Sequence, residues 1–97
     1  MNRRNWQFRN YSTRTSALST DSLSPVFSQL LRQARLKAGM TQDELAARVR
    51  LTREYISLLE RGKRIPTLYV FIRLSRALGL SPADLIVQIE VGMPKKF

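Results

Sequence analysis

The spacing of apolar residues changes character near residue 24. Upstream, MNRRNWQFRNYSTRTSALSTDSLS follows neither a 3.6-residue nor a two-residue period. Such a segment buries too little apolar area to offset its chain entropy, and residues 1–24 are expected to form a disordered arm. Downstream, start and stop signals for helices recur every dozen residues or so. Ser24 as cap and Pro25 at the first helical position open helix one, whose stripe is Phe27, Leu30, Leu31, Ala34 and Ala38; Gly39 ends it. Thr41 and Glu44 form a capping box for helix two, with Met40 and Leu45 spaced as a hydrophobic staple and Leu45, Ala46 and Val49 inward. Thr52 caps helix three, with Leu51 and Ile56 as staple, Leu59 inward and Gly62 as stop.

A basic loop, Lys63 to Pro66, leads into a fourth helix from about Thr67 to Leu78, with Leu68, Phe71, Leu74 and Leu78 inward and Gly79 closing it. Ser81 caps a fifth, with Pro82 first, Asp84 completing a second capping box, and Leu80 and Leu85 as staple. Beyond it, Val87, Ile89 and Val91 alternate with polar residues, which allows either a longer helix or an edge strand. The pattern therefore predicts an all-α, five-helix bundle over residues 25–89, with a tail at 90–97.

The composition narrows the function. Seventeen Lys and Arg against seven Asp and Glu give a net charge of +10, which draws a polyanion; nucleic acid is the first candidate and an anionic membrane the second. The absence of His and Cys removes imidazole bases, thiolate nucleophiles and nearly all zinc sites. Neither an enzyme nor a metal or other cofactor is expected, and no small-molecule ligand is evident. No apolar run approaches the roughly 18 residues needed to cross a bilayer, and the N-terminus lacks the apolar stretch of a secretory signal. A soluble, cytoplasmic protein with no membrane partner, associated with a bacterial nucleoid, is the expectation.

Only Arg50 and Leu51 separate helices two and three, too few to return the chain alongside itself, so the two must cross steeply as a helix-turn-helix. Helix three then offers Arg53, Glu54, Ser57, Leu58 and Arg61 on a convex face that fits a major groove about 12 Å wide. Arginine bonds guanine bidentately, a carboxylate accepts from cytosine, and a leucine can meet a thymine methyl.

The stretch GMTQDELAARVRLTREYISLLERGKRIPT, followed by LSRALGLSPADLI, resembles the Cro and lambda-repressor type of helix-turn-helix domain, the Xre family. The resemblance covers about residues 27–88, and the Tyr55-Ile56-Ser57 run is similar to controller proteins of restriction-modification systems. It implies a lambda-repressor-like bundle that regulates transcription, expected to be a repressor acting as a homodimer on double-stranded DNA. Thr52, Arg53, Glu54, Ser57 and Leu58 match base-reading positions. Gln42, Lys63 and Arg64 match phosphate-contacting ones, where the Gln42 amide clamps a phosphate or a side chain of the recognition helix. Arg61, on the outer face of helix three, is read as a further phosphate contact, and Tyr55 either as core packing with its hydroxyl at the rim or as a phosphate contact. Arg35 and Glu60 match a partly buried ion pair joining helix one to helix three. Arg50 departs from the family, which often has Gly there because the backbone turns left-handed. The competing reading is a protein-interaction module, such as an antitoxin or coactivator, built on the same fold.

Overall fold

The computed structural model describes residues 23–94, and the expectations for the arm up to residue 22 and for residues 95–97 lie outside the described residues. Five helices occupy the described residues: α1 at residues 23–37, α2 at Gln42–Val49, α3 at Arg53–Glu60, α4 at Leu68–Ala77 and α5 at Pro82–Gly92. No strand occurs among those residues. Helix α2 packs on α3 and α4, and α4 on α5. Helix α1 closes the bundle through Phe27, whose ring lies 6.0 Å from that of Phe71 on α4, tilted by 52°. Gly92 of α5 lies against the neighbouring Val26, close enough that an added Cβ would stand 3.0 Å from a valine methyl.

Each of the helix starts at α2 to α5 is held by the side chain that its sequence pattern marks. The Glu44 amide donates to Thr41 Oγ1 at 3.0 Å while the Thr41 amide donates to Glu44 Oε1 at 2.8 Å, so two otherwise unpaired donors are satisfied reciprocally. Thr52 and Thr67 accept from the amides of Tyr55 and Val70 at 3.1 and 3.2 Å. At α5 only half of the expected box forms: Ser81 accepts from the Asp84 amide at 3.3 Å, but the aspartate is one methylene shorter than Glu44 and does not bond back.

The core is Phe27, Leu31, Leu45, Ala46, Val49, Ile56, Leu59, Phe71, Leu74, Leu78, Leu85 and Ile89. Two residues assigned inward face out. Ala38 is exposed, and Leu68 is 72% exposed. Both are in phase with their stripes but stand at an end of the element, where periodicity cannot say whether a neighbour is present to cover them. The choice between a longer helix and an edge strand falls to the helix: α5 runs on to Gly92, so residues 90–92 belong to it and not to a tail. Ile89, four residues from Leu85, is buried while Val87 and Val91 face solvent. A two-residue alternation would have put all three on one side.

Ser24 also departs from expectation. Residues 23 and 24 are already helical, so Ser24 lies inside α1 instead of capping it. Its hydroxyl donates instead to the Gly62 carbonyl at 2.8 Å, tying α1 to the turn that follows α3.

Candidate nucleic-acid interface

The chain enters α3 through a turn that costs backbone energy. Arg50 sits at φ 59°, ψ 43°, a non-glycine residue with positive φ. The conformation lets the Leu51 amide donate to Ala46 O at 2.9 Å and the Arg50 amide to Ala47 O at 3.3 Å, satisfying carbonyls at the end of α2. Leu51 and Tyr55 then pack against the core beside the buried Ile56 and Leu59. Helix α3 is thereby anchored on one side only, and its other side faces solvent.

At the far end of α3, Gly62 takes φ 73°, and the Lys63 amide donates to Leu58 O at 2.9 Å. This closure directs Lys63 and Arg64 outward; both are exposed.

The orientation of α3 is fixed by a polar network between three helices. Arg35 of α1 donates to Glu60 of α3 through Nε at 2.6 Å and through its NH2 nitrogen at 3.0 Å, a bidentate pair whose side chains are 9% and 3% exposed. The third Arg35 nitrogen donates to the Met40 carbonyl at 2.8 Å, in the turn between α1 and α2. Gln42 Nε2, at the start of α2, donates to Glu60 Oε1 at 3.1 Å. Two buried charges therefore carry a nearly full set of partners, the condition under which such a pair is tolerated. The Arg35 pKa is raised, chiefly by its hydrogen bond to Glu60; desolvation opposes the shift and the Glu60 charge adds to it.

The predicted site residues fall into distinct places on this frame. Thr52, Arg53 and Glu54 are exposed at the N-terminal end of α3. Ser57 and Leu58 are half-buried one turn later, and the exposed Arg61 folds back to donate from Nε to Ser57 Oγ at 3.2 Å. Tyr55 is half-buried, its ring against the core. Gln42 sits near the start of α3's partner helix with its amide on Glu60, so the structure brings it to a side chain of α3. Arg50, Arg53, Arg61, Lys63 and Arg64 are all exposed on or beside α3, and Glu54 is the one exposed acid on that helix. The arrangement offers a partly exposed helix with a cationic border, and among the described residues no group of His, Cys, Asp and Glu could hold a metal ion.

Sequence reasoning missed Arg73. Its NH2 nitrogen donates to Val49 O at 2.8 Å, capping α2 just before the left-handed turn. Its NH1 nitrogen donates to Tyr69 Oη at 3.1 Å, with the guanidinium 5.5 Å from the centre of that ring. The four-residue spacing of Tyr69 and Arg73 signals their pairing on one helix face. The contact to Val49, 24 residues away, leaves no local signal.

Comparison with known proteins agrees with this geometry. Residues 31–85 match the sequence profile of the helix-turn-helix family. The control protein C.BamHI of Bacillus amyloliquefaciens is 40% identical over 74 residues, covering 75% of this chain and 91% of that protein. Among solved structures, the restriction-modification controller protein C.AhdI from Aeromonas hydrophila superposes with a TM-score of 0.60 at 36% identity, over 63% of this chain and 92% of the other. The clp gene regulator ClgR from C. glutamicum superposes with a TM-score of 0.68 at 32% identity, over 74% and 92% of the two chains. The chain thus belongs to the helix-turn-helix family, in its Xre branch of Cro and lambda-repressor type.

Proposed function

We propose that this DNA-binding transcriptional regulator is a sequence-specific repressor that lays α3 in the major groove and blocks a promoter by occupying it. The carrying observation is that Thr52, Arg53, Glu54 and Arg61 of α3 are exposed, with Ser57 and Leu58 half-buried between them and the exposed Arg50, Lys63 and Arg64 beside them, on a helix held in place by the Arg35–Glu60 pair. In this reading Thr52, Arg53, Glu54, Ser57 and Leu58 meet base edges, while Tyr55, Arg61, Lys63 and Arg64 meet phosphates. Gln42 has one amide hydrogen on Glu60 and a second for a phosphate. Two copies bind as a homodimer, because one such helix reads only a few base pairs and twofold pairing about 34–36 Å apart doubles the site. Among the described residues no helix is long and apolar enough to cross a membrane, in keeping with action on DNA in the cytoplasm. The similarity to controller proteins supports a regulator of that kind.

Selection of bound duplexes from a random library tests the reading. A recurring palindromic site, bound well above unrelated duplex at physiological salt, is expected. An affinity ratio near one for every selected sequence overturns it, and stoichiometric capture of a protein in place of DNA would favour the interaction-module reading.

A further inference from the structure

Beside the turn that leads into α3, the C-terminal end of α2 and the face of α4 border a shallow, solvent-open depression of about 300 Å³. Arg48 from α2 and Arg73 and Arg76 from α4 line it, together with Val49 and Ala77. Among the described residues the one ion pair is Arg35 with Glu60, so none of these three arginines meets a carboxylate there.

The three are not equivalent. Arg73 is held rigidly by Val49 O, Tyr69 Oη and the Tyr69 ring. Two of its five N–H donors are used in this way, and three remain. Arg48, in the last turn of α2, and Arg76, in the last turn of α4, are exposed. A cation near a helix C-terminus complements the helix dipole, which explains one arginine at each end. It does not explain why both ends deliver their arginines to a single depression, where like charges repel one another. Arg73 already caps α2, and among the described residues Arg48 and Arg76 form no ion pair.

We propose that this depression is an anion site that takes a phosphoryl group, with Arg73 as the preset donor and Arg48 and Arg76 closing over the oxygens. Guanidinium forks match phosphoryl oxygens in pairs, and a donor fixed beforehand loses less freedom on binding than a free one. The depression is open to solvent, so the group is presented from outside, either on a small free phosphate compound or on the backbone of a bound duplex. The site is separate from the α3 flank and does not depend on which bases that flank reads.

Titrating the full chain with inorganic pyrophosphate, followed by amide NMR, tests the site without DNA. Saturable displacement confined to Arg48, Val49, Arg73, Arg76 and Ala77 is expected. The double substitution Arg48→Gln with Arg76→Gln should weaken binding about tenfold or more, as expected for losing charge-assisted hydrogen bonds, while the protein still unfolds in one cooperative transition well above the titration temperature. A charge-matched control on α1, Arg32→Gln with Lys37→Gln, should bind pyrophosphate as the parent does. Duplex binding by the same proteins identifies the source. If the backbone supplies the group, the Arg48/Arg76 variant loses affinity for all sequences alike and its salt dependence becomes shallower by about one unit per lost phosphate. If a free compound supplies it, pyrophosphate binding falls while duplex affinity holds. Displacements that never saturate, that spread over every exposed cation, or that persist unchanged in the Arg48/Arg76 variant overturn the proposal.

Discussion

At Arg50 the chain adopts a left-handed conformation that costs an ordinary L residue about 1–2 kcal/mol. Glycine adopts it without that cost but brings a more flexible unfolded chain, which offsets part of the gain. Arg50→Gly should therefore stabilise the fold by about 0.5–1 kcal/mol, read as a higher denaturant midpoint with an unchanged slope. Three residues on, Arg53 is exposed and bonds to no other described side chain, so its removal tests recognition and not folding. Arg53→Ala should leave thermal unfolding nearly unchanged and weaken binding to the best selected duplex by about 1–3 kcal/mol. A melting temperature that fell along with affinity would contradict that division of roles. The strain at Arg50 was legible in the sequence, because the family's turn position is often glycine and this chain has an arginine there. Arg73 was not legible, since its main partner is a backbone carbonyl two elements away.

Among the elements, the starts of α2 to α5 were readable, because capping is local: a hydroxyl and an amide two or three residues on decide it. The start of α1 was not, since Ser24 lies within the helix and bonds to Gly62 instead. Stripes read well in mid-helix and failed at ends, as Ala38 and Leu68 show. The fate of residues 87–91 needed the structure, since Leu85 and Ile89 share a helical face only once α4 is there to receive it. The Arg35–Glu60 pair was legible through family resemblance alone, as nothing within a 25-residue separation announces it. Its chemistry makes a firm prediction. Arg35→Ala strands the Glu60 carboxylate in the core and leaves Met40 O without its donor, and should lower stability by about 3 kcal/mol in chemical denaturation. Replacing both partners with leucine should recover much of that loss, because two apolar side chains leave no buried charge behind. If the double replacement were as unstable as Arg35→Ala alone, the loss would come from geometry and not from the stranded charge.

For the whole molecule, charge is the dominant property. A net charge of +10 on 97 residues creates a field that gathers a polyanion before any specific contact forms. If two copies bind as proposed and neutralise about six phosphates between them, the logarithm of the binding constant should fall with the logarithm of salt concentration at a slope near −5. Measuring binding to one duplex across a salt series checks this, and a slope near zero would place the binding energy in uncharged contacts. Exposed cations around α3 and the arginine cluster between α2 and α4 both contribute to this field.

The Gln42–Glu60–Arg35–Met40 network joins α1, the turn after it, α2 and α3 before any duplex arrives. If α3 docks as proposed, a helix held in this way has little folding of its own left to complete on contact within the described residues. The heat capacity of association should accordingly match that of the apolar surface hidden at the interface, without the larger negative increment that accompanies coupled folding. Calorimetric titrations at several temperatures would register this as a modest, linear change of enthalpy with temperature.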